Sequence, residues 1–215
     1  MRTILIFGDS NVWGYVGGRG ARYPVGVRWP TVAAAQLGRE YHVIEDGMCG
    51  RTSVYADPLH ERRCGVEALD YALISATPLD LLVLMLGTND LKYAGADRSA
   101  QGIDRLIGMA QDVDTRCRTI SPVFPNGAKV LVISPIHIGS AIAEYEEWPF
   151  ICRFGIQESL KFSEYYREVA ERRGAYFLDA AQYAEPCRED SEHMTASGHQ
   201  ALGKAAAAKI LEIFS

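Results

Sequence analysis

The chain has 215 residues, 48% of them hydrophobic and 23% charged, which is enough for one well-filled core and too short for two comfortable domains, so a single domain over residues 1–215 is expected. A formal charge of −5 and a sequence pI near 5.6, without a clustered Lys/Arg stripe, argue against nucleic acid as a partner. The cysteines Cys49, Cys64, Cys117, Cys152 and Cys187 are scattered and never spaced C-x-x-C, a pattern that fits reduced thiols in a cytoplasm better than a disulfide framework or a zinc site.

Five short apolar runs punctuate the chain, each followed by Gly, Pro, Asp or Ser, and they read as strands. The first, residues 3–7, is too brief for a signal h-region or a membrane span, so no membrane association is expected. It ends in Gly8-Asp9-Ser10-Asn11, which puts a small hydroxyl residue on a tight turn leaving a strand, a position suited to a nucleophile. Residues 14–20 are glycine-rich, but no G-x-G-x-x-G or G-x-x-x-x-G-K-[ST] follows the strand, which counts against a phosphate cradle. The second run, residues 42–44, leads into Glu45-Asp46-Gly47-Met48-Cys49-Gly50-Arg51-Thr52. Helical spacing follows at Val66, Leu69 and Leu73.

The third run, residues 79–86, ends in Gly87-Thr88-Asn89-Asp90, so a carboxamide and a carboxylate emerge together, and Asn89 has an amide with which to donate. A second helical pattern runs through Ile103, Leu106, Ile107, Ala110 and Val113. The fourth run, residues 129–134, opens onto a long aromatic-rich connection, residues 135–150, of the kind that often carries function. After the fifth run, residues 175–178, comes Asp190-Ser191-Glu192-His193, an acid and an imidazole three residues apart on a loop before the Ala-rich final helix.

Alternating strands and helices call for a parallel sheet buried on both faces by right-handed crossovers, and the expected fold is a flavodoxin-like three-layer α/β/α sandwich with a five-stranded parallel sheet. Ligands of such sheets sit at the carboxyl ends of the strands. A serine hydroxyl needs a base, and an imidazole serves best when a carboxylate fixes its tautomer; Ser10, His193 and Asp190 supply these roles. His199, the rival base, falls within the last helix and lacks the spaced acid. No H-E-x-x-H motif marks a metal hydrolase, so no metal and no cofactor is expected, and no G-x-S-x-G elbow marks an α/β-hydrolase.

With these blocks in place, the sequence resembles the SGNH (GDSL-like) hydrolases. Ser10 matches their G-D-S block, Asn89 their G-T-N-D block, and Asp190 with His193 their D-x-x-H block; Gly50 is the best match for the second-block glycine, with Gly47 as the alternative. The blocks come in family order between residues 8 and 193. The resemblance implies an oxyanion hole built from the Ser10 and Gly50 N–H groups and the Asn89 side chain, each donor worth roughly 3 kcal/mol in the transition state. Trp13-Gly14, Val27-Arg28-Trp29 and the stretches around Gly50 and Asn89 are similar to the arylesterase and acyltransferase branch, which handles short acyl esters, sometimes with perhydrolysis. This implies a small-molecule ester as substrate and makes a homo-oligomer an expectation.

Asn11 stands where the name-giving motif has Leu and is expected in the substrate pocket with Trp13 and His137. Trp29, Tyr145, Trp148 and Phe150 are equally suited to a pocket or to a core. Asp9 and Asp90 are expected to hold loop backbone rather than to react, and Arg28 and Arg51 to pair with surface acids. The competing reading is a non-catalytic carbohydrate- or nucleotide-binding descendant of the fold.

Overall fold

A computed structural model describes residues 1–58, 60–144 and 149–215. In chain order these form β1 (Arg2–Gly8), α1 (Ser10–Trp13), a small hairpin of β2 (Tyr15–Val16) and β3 (Ala21–Arg22), α2 (Trp29–Leu37), β4 (Tyr41–Gly47), α3 (Gly65–Ser75) and β5 (Leu81–Met85). A 3-10 turn (Thr88–Lys92), α4 (Ala96–Gln111), α5 (Val113–Cys117) and β6 (Val130–Ser134) follow. The remainder is a 3-10 turn (Ser140–Glu144), α6 (Pro149–Ser159), α7 (Phe162–Arg173), β7 (Tyr176–Asp179), a 3-10 turn (Ala180–Gln182) and α8 (Ala196–Ile213).

Five strands pair in the order β4-β1-β5-β6-β7, all parallel. This is the flavodoxin-like order with β1 at the point where the winding reverses, and the crevice beyond the strand ends at such a point is where ligands bind. The register brings Gly8 level with Gly47 on one side and with Met85 on the other, so the segments carrying Ser10, Gly50 and Asn89 leave the sheet side by side.

Alternation along the strands divides the core in two. Leu5, Phe7, Leu82 and Leu84 face α3, α4 and α7 through Leu69, Ile103, Leu106 and Val169. Ile4, Ile6, Leu81 and Val83 face α2 and α8 through Trp29, Leu202 and Ile210. Each such side chain, removed from water, contributes about 1.5–3 kcal/mol. Burial on both faces holds for β5 and β6 and for all but the first two residues of β1, whereas the edge strands β4 and β7 are half-buried because each has one neighbour. The hairpin was not anticipated; two-residue strands carry no periodic signal.

The turn after β5 needs its glycine. Gly87 has φ +136°, and a Cβ there would stand 2.1 Å from the Tyr166 hydroxyl oxygen. That buried hydroxyl donates to the Leu86 carbonyl at 2.8 Å, anchoring the turn that presents Asn89. Tyr166→Phe leaves the carbonyl unsatisfied and is expected to cost about 1–3 kcal/mol in urea unfolding; an unchanged midpoint and slope would show that the turn does not rely on this bond.

Candidate active site

Ser10 begins α1, directly after β1. Asp9, 1% exposed, caps the helix by accepting from the Asn11 N–H at 2.9 Å. The Ser10 N–H, as the first of the helix, has no acceptor within it. Gly8 is required by close approach, since a Cβ would meet Val12 Cγ2 at 2.3 Å and the Met85 carbonyl at 2.5 Å. Ser10 Oγ lies 2.8 Å from His193 Nε2, and His193 Nδ1 lies 2.8 Å from Asp190 Oδ2. With the Nδ1 hydrogen directed at the carboxylate, Nε2 is left to accept from the serine hydroxyl.

Asp190 is held by more than its histidine. Its Oδ1 accepts from the N–H groups of Glu192 and His193, both at 3.1 Å, and from the Cys187 thiol at 3.3 Å, while Oδ2 also accepts from the Gly18 N–H at 3.1 Å. Burial pushes this carboxyl up, but the bonds from His193 and the backbone and the imidazole's charge outweigh it, and the acid ends well below its ordinary range. Burial, together with Asp190, pushes the Cys187 thiol up to about 11, so it remains a donor. The loop's bend is made by Ser191, in the left-handed region at φ +61°, whose carbonyl accepts from Gly139 N–H at 2.9 Å and whose hydroxyl accepts from Ala141 N–H at 3.1 Å. The Tyr15 ring rests on the His193 ring with centroids 4.4 Å apart.

On the other side of Ser10, Arg51 joins three strand ends. Its buried guanidinium donates to the carbonyl of Gly8 at 2.9 Å, to the carbonyl of Asp46 at 2.6 Å and to Asp46 Oδ1 at 2.9 Å, and lies over the Phe7 ring at 4.0 Å. The Arg51 carbonyl accepts from Asn89 Nδ2 at 3.2 Å, which orients the amide and leaves its second hydrogen for another acceptor. Gly50, at φ +80°, has an N–H that meets no acceptor among the described residues. Ser10, Gly50 and Asn89 thus follow three strand ends that the register sets level.

Asn11 does not line the pocket. It is 1% exposed, donating to the Glu192 carbonyl at 3.1 Å and accepting from Met194 N–H at 3.0 Å, so its amide is spent tying the β1 turn to the histidine loop. Arg28 and Arg51 pair with acids as expected, Glu45 and Asp46, yet both arginines are buried rather than on the surface. Trp13 is half-buried beside the site, and His137 is half-buried two residues before Gly139, which touches the histidine loop. Trp29 belongs to the core, Phe150 lines a separate cavity near α6 and α7, and Tyr145 and Trp148 lie outside the described residues. His199 is buried, accepts from Trp29 N–H at 3.3 Å, and is pushed by burial to about 4, which suits a neutral core ring. Gly47 serves packing, since a Cβ would stand 2.2 Å from Trp13 N.

Two contacts escaped the sequence. The glycine-rich stretch supports the acid: Gly18 donates to Asp190, and at Gly17 a Cβ would stand 2.2 Å from Cys187 Sγ and 2.9 Å from Asp190 Oδ2. Neither Gly17 nor Cys187 sits in a motif, and only their three-dimensional neighbour gives them meaning. Among the described residues no group of three or more acidic, histidine or cysteine side chains is arranged to hold a metal ion, and no helix is long and apolar enough to cross a membrane.

A parallel sheet of this order, with a hydrogen-bonded serine, histidine and aspartate at its switch point, is the arrangement of the SGNH serine hydrolases. The chain belongs to the GDSL-like lipase/acylhydrolase family, which matches residues 6–201, and it is a carboxylic ester hydrolase. Solved structures agree: an aryl esterase of M. smegmatis in an inhibitor-bound form is 30% identical with a TM-score of 0.89, covering 99% of each chain. A carbohydrate acetylesterase from Sinorhizobium meliloti is 32% identical with a TM-score of 0.88, covering 99% of this chain and 100% of that one. A protein described as an arylesterase from Agrobacterium tumefaciens is 33% identical with a TM-score of 0.88 over 99% of this chain and 100% of its own. No curated protein matched the sequence.

Asp90 supplies a pH test of this architecture. Fully buried, it accepts from Ser53 N–H at 2.7 Å and from Ser53 Oγ at 2.5 Å, and burial drives its carboxyl up to about 7 against those bonds. A carboxyl raised from 3.8 contributes stability that is complete below about pH 4 and lost as pH rises through about 7. Asp90→Asn keeps the bond accepted from Ser53 N–H, reverses the other so that Nδ2 donates to Ser53 Oγ, and removes the titration, so wild type should lose more stability than the variant between about pH 5 and pH 8. Denaturant unfolding that gives parallel pH curves would show that this acid does not titrate there.

Proposed function

We propose that the protein hydrolyses short-chain carboxylic esters through an acyl-enzyme on Ser10, with His193 as general base and acid and Asp190 orienting the imidazole. The observation that carries this reading is the unbroken chain of two 2.8 Å hydrogen bonds from Ser10 to Asp190, set beside the Gly50 N–H, which meets no acceptor among the described residues, and the second Nδ2 hydrogen of Asn89. The relatives' printed activities, on aryl esters and on acetylated carbohydrates, support a small acyl group and a variable alcohol.

As Ser10 Oγ bonds to the carbonyl carbon, its proton passes to His193 Nε2 and the carbonyl electron pair moves onto oxygen, where Ser10 N–H, Gly50 N–H and Asn89 Nδ2 receive the charge. Collapse breaks the bond to the alcohol oxygen, which takes the proton from Nε2 as it leaves. Water then repeats the sequence on the acyl-enzyme, giving the acid and restoring Ser10; no cofactor takes part. An alcohol or peroxide can take the place of water at the acyl-enzyme, giving up its proton to His193 Nε2 and accepting the acyl group as Ser10 is released. Five cysteines outside any disulfide support a reducing, cytoplasmic setting.

A series of p-nitrophenyl esters of increasing acyl length should give fastest turnover with acetate, abolished in Ser10→Ala; no turnover in wild type would end the catalytic reading. Asn89→Ala should lower kcat by about 10²–10³ while leaving KM within a few-fold, because its amide acts on charge that develops in the transition state. Equal changes in kcat and KM would place Asn89 in ground-state binding instead.

A further inference from the structure

A cavity of about 460 Å³ opens beside Gly50, lined by Trp13, Gly47, Met48, Cys49, Glu61, Arg62 and Arg63. Its lining residue Arg63 reaches one of the proposed oxyanion donors: Arg63 Nη1 lies 2.6 Å, and its Cδ 3.1 Å, from where a Cβ on Gly50 would be. The absent side chain makes room for the guanidinium. The Arg63 backbone is held beside this point, its carbonyl accepting from Thr52 N–H at 3.0 Å and the next residue, Cys64, bridging to Thr52.

Arg28, Arg51 and Arg116 are sheltered arginines that each hold a carboxylate. Arg63 is half-buried, yet its side chain makes no hydrogen bond or ion pair among the described residues. Of the acids in this segment, Asp57 accepts from His60 N–H at 3.1 Å and pairs with its ring at 3.2 Å, and Glu61 is on the cavity rim, with no ion pair between Glu61 and Arg63 among the described residues. Trp13 and Met48 give the cavity apolar surface beside this cation.

Resting on the esterase reading, we propose that this cavity is a subsite for esters carrying a carboxylate, and that Arg63 is the residue that selects them. A sheltered guanidinium with free donors matches a carboxylate in two-pronged geometry, and the apolar walls suit a ring or short chain joining that anion to the ester.

Two pairs of substrates test this in the intact chain: 4-acetoxybenzoate against 4-acetoxybenzamide, with the anion on the alcohol side, and monophenyl succinate against phenyl butyrate, with the anion on the acyl side. Wild type should favour the anion over its neutral counterpart in at least one pair by about tenfold in kcat/KM, and the pair that responds fixes which half of the ester the cavity holds. That ratio should collapse towards one in Arg63→Met, persist largely in Arg63→Lys, and shrink in wild type at high salt. Absence of preference in both pairs, or a preference that Arg63→Met leaves intact, overturns the proposal. If wild type turns over no ester at all, it is the esterase reading that fails, and calorimetric binding of 4-hydroxybenzoate to wild type and Arg63→Met then decides the subsite: binding lost in the variant upholds it, and no binding or equal binding refutes it.

Discussion

Ser10 and His193 stand 183 residues apart in the chain, and the 2.8 Å between Ser10 Oγ and His193 Nε2 is the tolerance to which the intervening fold must close. A side-chain hydrogen bond of this kind contributes only about 1 kcal/mol, far too little to draw the two ends together. The two-sided apolar core does that work, and the relay is assembled as a consequence. Its last ångström is set locally, by Asn11, whose amide bonds the histidine loop on both sides of His193, and by the Gly139 and Ala141 N–H groups that hold Ser191.

The same division of labour appears on the other side of Ser10. Parallel pairing of β4, β1 and β5 sets three strand ends level, and one buried arginine then ties them to each other. Arg51 bonds the ends of β1 and β4 through its guanidinium and the turn after β5 through its carbonyl. A desolvated cation is tolerated there because its acceptors are already in place and Phe7 offers a ring face. Charge is thus used as a fastener at one side of Ser10, and at the other as the carboxylate that holds His193.

Strand runs were readable in the sequence because the central strands are buried on both faces and therefore continuously apolar; the helix pattern at Val66, Leu69 and Leu73 was readable because α3 buries one face. The pairing of Asp190 with His193 could be read from spacing, since an acid three residues before an imidazole meets it on a short loop. Asn11 was misplaced because an asparagine beside a nucleophile looks equally like a pocket wall or a clamp, and only its partners 181 and 183 positions away decide. Arg51 looked like a surface residue for the same reason. Gly17, Gly18 and Cys187 were invisible: their value comes from lying against Asp190, and neither proximity nor a thiol hydrogen bond leaves a local pattern.

The account stands or falls on the identity of the nucleophile, and the most direct measurement is mass spectrometry of peptides after treatment with an organophosphate. It predicts one adduct per chain, on the peptide containing Ser10, and loss of that adduct when His193 is replaced by alanine. An adduct on another residue, or labelling of Ser10 that does not depend on His193, would contradict it.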